Sequence, residues 1–287
     1  MATRIVTFLG LGSGRFPERY EPVRYRGEKG IHGPTALHDV PTIAEAEGPV
    51  TLVVLGTVEV EQTWFASDLY LTLLRRDLGP CPMPLVRLVV IPKGASTEER
   101  WEIFEQLVAL VDPDRPVVPG EVRPTGIVVD ITHGFRSQPF FAAAAIAFAQ
   151  SERRRRWTEA KSPAVPVRIA YAAYEPSGGP GPDRGQNATR SDAPAEQVVV
   201  PIWDLTQFLD VLRWNTALDG LLRHGRADDL AGLLEGAEKE ARPRAASAED
   251  HKEIGKQIGP LSRFRKAASA FAEGLVTVRV PALITEL

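Results

Sequence analysis

Sulfur is scarce in this chain: 287 residues carry one cysteine, Cys81, and two methionines. A single thiol cannot close an internal disulfide, and it excludes a zinc centre built from cysteines. Such a composition fits a reducing compartment, and the cytoplasm is the expected location. A basic surplus is missing too, since 34 Lys and Arg face 37 Asp and Glu for a formal net charge of −3. DNA is therefore not an expected partner, and any nucleotide must be read by a local site. No run approaches the roughly 20 apolar residues of a membrane span. The opening MATRIVTFLGLGSG reaches glycine too early for a signal peptide, so a soluble intracellular chain is expected. The histidines, His32, His38, His133, His224 and His251, are scattered, with no paired carboxylates at ligand spacing. No metal and no cofactor are expected. A Gly-x-Ser-x-Gly nucleophile elbow is absent, because Leu11 stands where Ser13 would need its first glycine.

What remains is an ordinary globular composition, 44% hydrophobic and 25% charged, in a chain long enough for one large domain or two smaller ones. Short β-branched runs bounded by Gly or Pro predict strands over Arg4–Leu9, Thr51–Leu55, Leu85–Ile91, Ile127–Val129 and Val167–Ala173. Between them, helical spacing covers Val60–Asp77, Thr97–Val111 and Pro139–Arg154; in the second, Trp101, Phe104 and Leu107–Val108 share one face. Strands alternating with helices imply an α/β fold with a mostly parallel, doubly wound sheet. Arg15–His38 has no clear period and is read as a hairpin or loop over the sheet edge. Pro176–Pro194, with SGGPGPDRG inside it, reads as a flexible loop. From Ile202 the pattern becomes helical, through Trp203, Leu205, Phe208, Leu209, Leu212 and Trp214 to Leu218, Leu221 and Leu222. This change divides the chain into residues 1–200 and a helical part, 201–287. Arg153–Arg156 reads as a solvated helix end that complements the macrodipole.

Chemistry concentrates at Gly126–Pro139, GIVVDITHGFRSQP. A buried strand there gives way to an Ala-rich helix, so Asp130–Ser137 occupy a strand-to-helix turn, where open α/β sheets keep their ligand sites. Asp130, Thr132, His133 and Arg136 crowd around Gly134, with Ser137 just ahead of helix amides that favour an anion. The plainer alternative is that Asp130 or Thr132 caps the helix and His133 is a satisfied polar residue at a strand end. The loop Gly10-Leu11-Gly12-Ser13-Gly14 comes after the first strand. It begins like a dinucleotide fingerprint, but Pro17 and Pro22 interrupt the stretch where its helix would lie and no acid closes a second strand, which excludes a nicotinamide site. Thr57, with Gln62 and Trp64 beyond it, comes after the second strand, and Lys93-Gly94 after the third. A parallel sheet brings all of these to one carboxyl edge.

The run Asp130-Ile131-Thr132-His133-Gly134-Phe135-Arg136 resembles the DxTHG motif of CRISPR-associated proteins of the CARF superfamily, the Rossmann-like sensors of type III CRISPR systems. Phe8-Leu9-Gly10, Ile91-Pro92-Lys93-Gly94, Trp101–Phe104, Tyr171–Glu175 and Pro201-Ile202-Trp203-Asp204-Leu205 with Trp214 look like family landmarks in family order, over roughly residues 3–225. The resemblance implies a Rossmann-like CARF domain followed by a smaller helical segment, in a homodimer whose strand ends face each other around one cyclic oligoadenylate. Cyclic tetra-adenylate is the first choice and the hexa-adenylate the second. On the same resemblance Gly10–Gly14 and Lys93–Gly94 would hold phosphate and ribose, while Thr132, His133 and Arg136 would line the floor.

Three functional readings stay open on the sequence. One is a sensor that controls an attached or separate effector. Another is a ring nuclease that cleaves its own ligand, with Lys93, Thr132, His133 and Arg136 as candidate catalytic residues. The third is a HEPN-type ribonuclease, for which Arg244 and His251 are the only candidate pair.

Overall fold

The structure is a computed structural model that describes residues 1–11, 23–133, 138–157, 165–173, 199–241, 259, 262–267 and 270. Within it the chain divides into two compact units, Met1–Gln207 and Phe208–Leu287.

The first unit is built on an eight-stranded sheet. The β-branched runs form β1 (Thr3–Phe8), β4 (Val50–Gly56), β5 (Leu85–Val90), β6 (Gly126–Asp130) and β7 (Val167–Ala172), all parallel in the order β5-β4-β1-β6-β7. β8 (Val199–Asp204) runs antiparallel to β7, and a hairpin of β2 (Arg24–Gly27) and β3 (Gly30–Ile31) extends the sheet beyond β8. The hairpin expected within Arg15–His38 is thus present from Val23 onward. Ile202–Asp204, read from sequence as the start of a helix, finish β8 instead; helix starts only at Thr206.

β1 is central and buried along nearly its whole length, which is why its sequence is a continuous apolar run rather than an alternation. Ile5 on β1, Leu52 and Val54 on β4 and Val128 on β6 pack with Val40 and Ile43 of α1 (Val40–Glu45) and Tyr70, Leu74 and Leu78 of α3 (Leu69–Leu78). The alternate residues, Val6, Val53 and Val129, are equally buried on the opposite face. Right-handed crossovers put α4 (Thr97–Leu110) and α5 (Gln138–Trp157), which pack on each other, over that second face. α4 turns Ile103, Leu107 and Leu110 inward; Trp101, expected on one face with Phe104 and Leu107–Val108, is 60% exposed while Leu107 is buried. β5 is an edge strand with Leu85 and Val90 exposed, not a two-sided core strand.

The helix expected over Val60–Asp77 is broken. A short α2 (Val58–Val60) runs into a π-helical segment, Glu61–Phe65, and Asp68 adopts a left-handed backbone (φ 54°) before α3 begins. At the start of β1, the Arg4 guanidinium is fully buried. It pairs with Glu121 (2.7 Å) and donates to the carbonyls of Leu110 (2.8 Å), Asp112 (2.7 Å) and Arg115 (2.8 Å). One side chain thereby ties the segment between α4 and β6 to the middle of the sheet.

The second unit contains most of α6 (Thr206–His224) and all of α7 (Asp228–Ala241). Ala217 of α6 packs with Leu230 and Leu234 of α7. Gly225 (φ 64°) ends α6: its N–H donates to Leu221 and that of Arg226 to Gly220, a paired closure that needs a left-handed residue. Phe264 lies in a further helical stretch, 262–267, and is half exposed. The loop expected over Pro176–Pro194 lies outside the described residues.

Candidate functional site

The strand order defines where a ligand crevice falls. After β1 the chain passes first through the β2–β3 hairpin beyond β8, then through α1 to β4 and β5 on the other side of β1, with α1 and α3 on one face, and comes back beside β1 for β6, with α5 on the opposite face. Among the parallel strands β4 and β5 lie on one side of β1 and β6 and β7 on the other, so the order reverses between β1 and β6, and that is the switch point of a doubly wound sheet.

A buried polar cluster sits there. Thr7, next to the end of β1, has its Oγ1 2.9 Å from Nε2 of His38. His38 lies 3.9 Å from Oδ2 of Asp130, the last residue of β6. Its ring meets that of His133 edge-on, with centroids 4.2 Å apart. Asp39, next in the chain after His38, accepts a hydrogen bond from the Tyr70 hydroxyl on Oδ2, while its Oδ1 is buried with no hydrogen-bond partner. Asp130, expected within the turn, ends the strand and closes the turn by accepting the Thr132 N–H on Oδ1 (2.9 Å). The Thr132 hydroxyl oxygen accepts the Ala172 N–H (2.8 Å) and so joins the turn to β7.

Burial sets the charge state. It pushes His38 and His133 down to about 3, so both imidazoles are neutral at pH 7. It pushes Asp39 up to about 7 and Asp130 up to about 6, against the lowering effect of their hydrogen bonds to Tyr70 and Thr132. Burial also raises the Tyr70 hydroxyl, which stays a neutral donor. Near neutral pH the cluster thus holds two uncharged imidazoles, a neutral phenol and two carboxyls on the edge of ionisation. It offers hydrogen-bond direction rather than fixed charge.

The neighbouring strand ends carry the remaining expected residues. Gly10 and half-exposed Leu11 lie just past β1. Thr57, nearly buried, precedes α2 at the end of β4, and Gln62 is exposed in the π-helical segment. Lys93, exposed beyond β5, is paired with Glu59 of α2; that bond and one from Thr57 hold the Glu59 carboxyl down at about 2. Gly94 has φ 76°, which a side chain would strain, and a Cβ there would also reach Ile103 of α4 at 3.4 Å. With strands about 4.8 Å apart, the β5 end lies roughly 10 Å from that of β1.

One expected residue is corrected outright. Trp64 is fully buried in the core, edge-on to Tyr70 at 6.3 Å, and cannot line a rim. Gly12, Ser13, Gly14, Gly134, Arg136 and Ser137 lie outside the described residues, as do Arg244 and His251. Thr7, His38, Asp39, Tyr70 and Glu59 belong to the carboxyl edge and carried no sequence signal. They stand alone in strand, loop or helix, far in sequence from the turn they meet.

A cavity of about 390 Å³ lies at the opposite edge, lined by Thr3, Lys29, Glu45, Gly126, Arg168 and Asp204 among others. Its charges are matched internally: Arg168 with Glu28 (2.5 Å) and Asp204 (3.4 Å), and Glu45 with His32 (2.8 Å). Among the described residues, no group of three or more His, Cys, Asp or Glu side chains could hold a metal ion, and no helix is long and apolar enough to cross a membrane.

Fold and site together define a doubly wound, Rossmann-like α/β protein with a polar cluster at its switch point. No family model matches the chain, and no curated protein does.

Proposed function

We propose that the chain is a CARF-type sensor of type III CRISPR defence. In this reading it binds a cyclic oligoadenylate at the carboxyl edge of the sheet and thereby controls an attached or separate effector. The observation that carries it is the position of His133 and Thr132, the core of the DxTHG-like turn, at the switch point beside the ends of β1 and β7. A ring of phosphates and adenines has rotational symmetry that two copies of one edge can match.

The charge state shapes how such a ligand would be read. The neutral imidazole of His133 suits the hydrogen-bonding edges of adenine, with buried His38 packed edge-on behind it. Phosphates would fall to the backbone N–H groups after β1, to Arg136 and to Lys93, which must then exchange its bond to Glu59. Binding is favoured over ring cleavage, because an imidazole held at about 3 is a poor base and is not a proton donor at neutral pH.

Calorimetric titration with cyclic tetra-adenylate, and in parallel with the hexa-adenylate, tests the reading. Saturable binding is expected, weakened about tenfold or more by His133→Ala, a loss of about 1.4 kcal/mol. Absence of binding to either ring would overturn it. The same incubation with labelled ring distinguishes a sensor, which returns it unchanged, from a ring nuclease, which linearises it.

A further inference from the structure

The ends of β4 and β5 bring two opposite charges together. Gly56 pairs with Val90 as the last rung between these strands, and the Ile91 N–H donates to the Gly56 carbonyl (2.9 Å). Glu59 and Lys93 each stand three residues beyond that rung. The Lys93 ammonium pairs with the Glu59 carboxylate, which also accepts a hydrogen bond from the Thr57 side chain. Both members of the pair reach solvent, Lys93 at 66% exposure and Glu59 at 40%, so a ligand can meet either. The neighbouring charges of α4 have other partners: Glu99 accepts the Ala95 N–H (2.8 Å) and Arg100 donates to the Thr97 hydroxyl (3.2 Å). Glu59, held down at about 2, is ionised at neutral pH. Ammonium and carboxylate therefore cancel, and the pair presents no net charge to an incoming anion.

We infer that Glu59 is a specificity residue, which admits the singly charged phosphodiesters of a ring and turns away phosphate monoesters. The inference rests on the reading of the carboxyl edge as an oligoadenylate site with Lys93 among its phosphate contacts. An internal phosphodiester bears one negative charge, whereas a terminal phosphate bears about 1.5–2 at pH 7. A diester can take the Lys93 ammonium from Glu59 charge for charge. A monoester sets up to one further charge against the displaced carboxylate, and at about 4 Å in water that repulsion weakens binding about fivefold. A ring contains internal phosphates alone; a 5′-phosphorylated linear oligoadenylate ends in a monoester. A bare lysine would favour the more highly charged of the two, and the carboxylate beside it supplies the repulsive element that reverses this.

Calorimetric titration of the whole chain with cyclic tetra-adenylate and the hexa-adenylate, each beside its 5′-phosphorylated linear counterpart, tests this. The parent is expected to prefer the ring. Glu59→Gln keeps the size of the side chain and removes its charge; it should tighten the linear ligand more than the ring and narrow the preference about fivefold. Glu61→Gln removes the same charge from an exposed position in the π-helical segment and should leave the ratio unchanged. A ratio that Glu59→Gln does not alter, in a chain that still binds the ring, overturns the inference and leaves the sensor reading standing. An equal change from Glu61→Gln also overturns it, because general surface charge would then account for the effect. A parent that binds neither ring overturns both.

Discussion

Asp39 is a carboxyl kept out of water, with one oxygen on Tyr70 and the other unpaired. Burial raises it to about 7, against about 3.9 in an unfolded chain. Below pH 4 it is protonated in both states and adds no slope. Between pH 4 and 7 the folded state alone keeps the proton, so stability falls as pH rises, by at most about 1.4 kcal/mol per unit. Asp130, raised to about 6, acts in the same direction. His38 and His133, lowered to about 3, act oppositely: their contribution is complete above about 6.5 and is lost as pH falls. The parent protein is therefore expected to show only a shallow profile from this cluster. Asp39→Asn removes one carboxyl, so its urea midpoint, relative to the parent, should rise steadily between pH 5 and 7.5. A difference independent of pH would contradict the assignment. Of this cluster, Asp130, Thr132 and His133 were legible because one short turn holds them together in sequence. Thr7, His38, Asp39 and Tyr70 were not, since only the pairing of β1 with β6 and the packing of α1 and α3 bring them there.

At the scale of elements, β-branched runs revealed five strands: in β1, β4, β6 and β7 burial leaves a nearly unbroken apolar signature, whereas the edge strand β5 showed as a strand through its Leu and Val residues although it is not buried. β8 escaped because Trp203, Leu205, Phe208 and Leu209 continue helical spacing across a strand–helix junction. The π-helical segment and the left-handed Asp68 escaped as well, since both leave the apolar period nearly unchanged. Trp64 looked like a rim residue because it stands just after the carboxyl end of β4; its large apolar ring packs into the core instead. In the segment between α4 and β6, Arg4 gathers Glu121 and three backbone carbonyls, beside the Arg87 bond to the Val117 carbonyl and the Thr125 bonds to Ala2. Arg4→Met removes the partner of Glu121 and three backbone carbonyls, and should cost about 3–5 kcal/mol in chemical denaturation. Arg4→Lys should recover little, because one ammonium cannot span acceptors arranged around a planar fork. Full retention of stability by Arg4→Lys would show that charge alone matters there.

For the whole molecule, alternation of strand and helix was enough to anticipate a doubly wound sheet. The β2–β3 hairpin beyond β8 was not fully legible, because four- and two-residue strands carry too few side chains to show a period. Ligand linkage belongs to this scale. If the sheet edge binds cyclic tetra-adenylate only when folded, saturation at about 100 times the dissociation constant adds about 2.7 kcal/mol to stability. The melting temperature should then rise with ligand concentration, and a linear tetra-adenylate control should shift it less. Equal shifts by ring and linear forms would mean that the cyclic shape is not what is recognised.

The central position of β1 has a consequence for biosynthesis. β1 pairs with β4 and β6, yet β6 leaves the ribosome roughly 120 residues later, a wait of about 6–25 s at ordinary elongation rates. Over that interval a strand destined for complete enclosure has at most one finished neighbour. The nascent chain should therefore depend on a holding chaperone until Gly126–Asp130 emerges, and slowing translation upstream of that point should lower the yield of native protein.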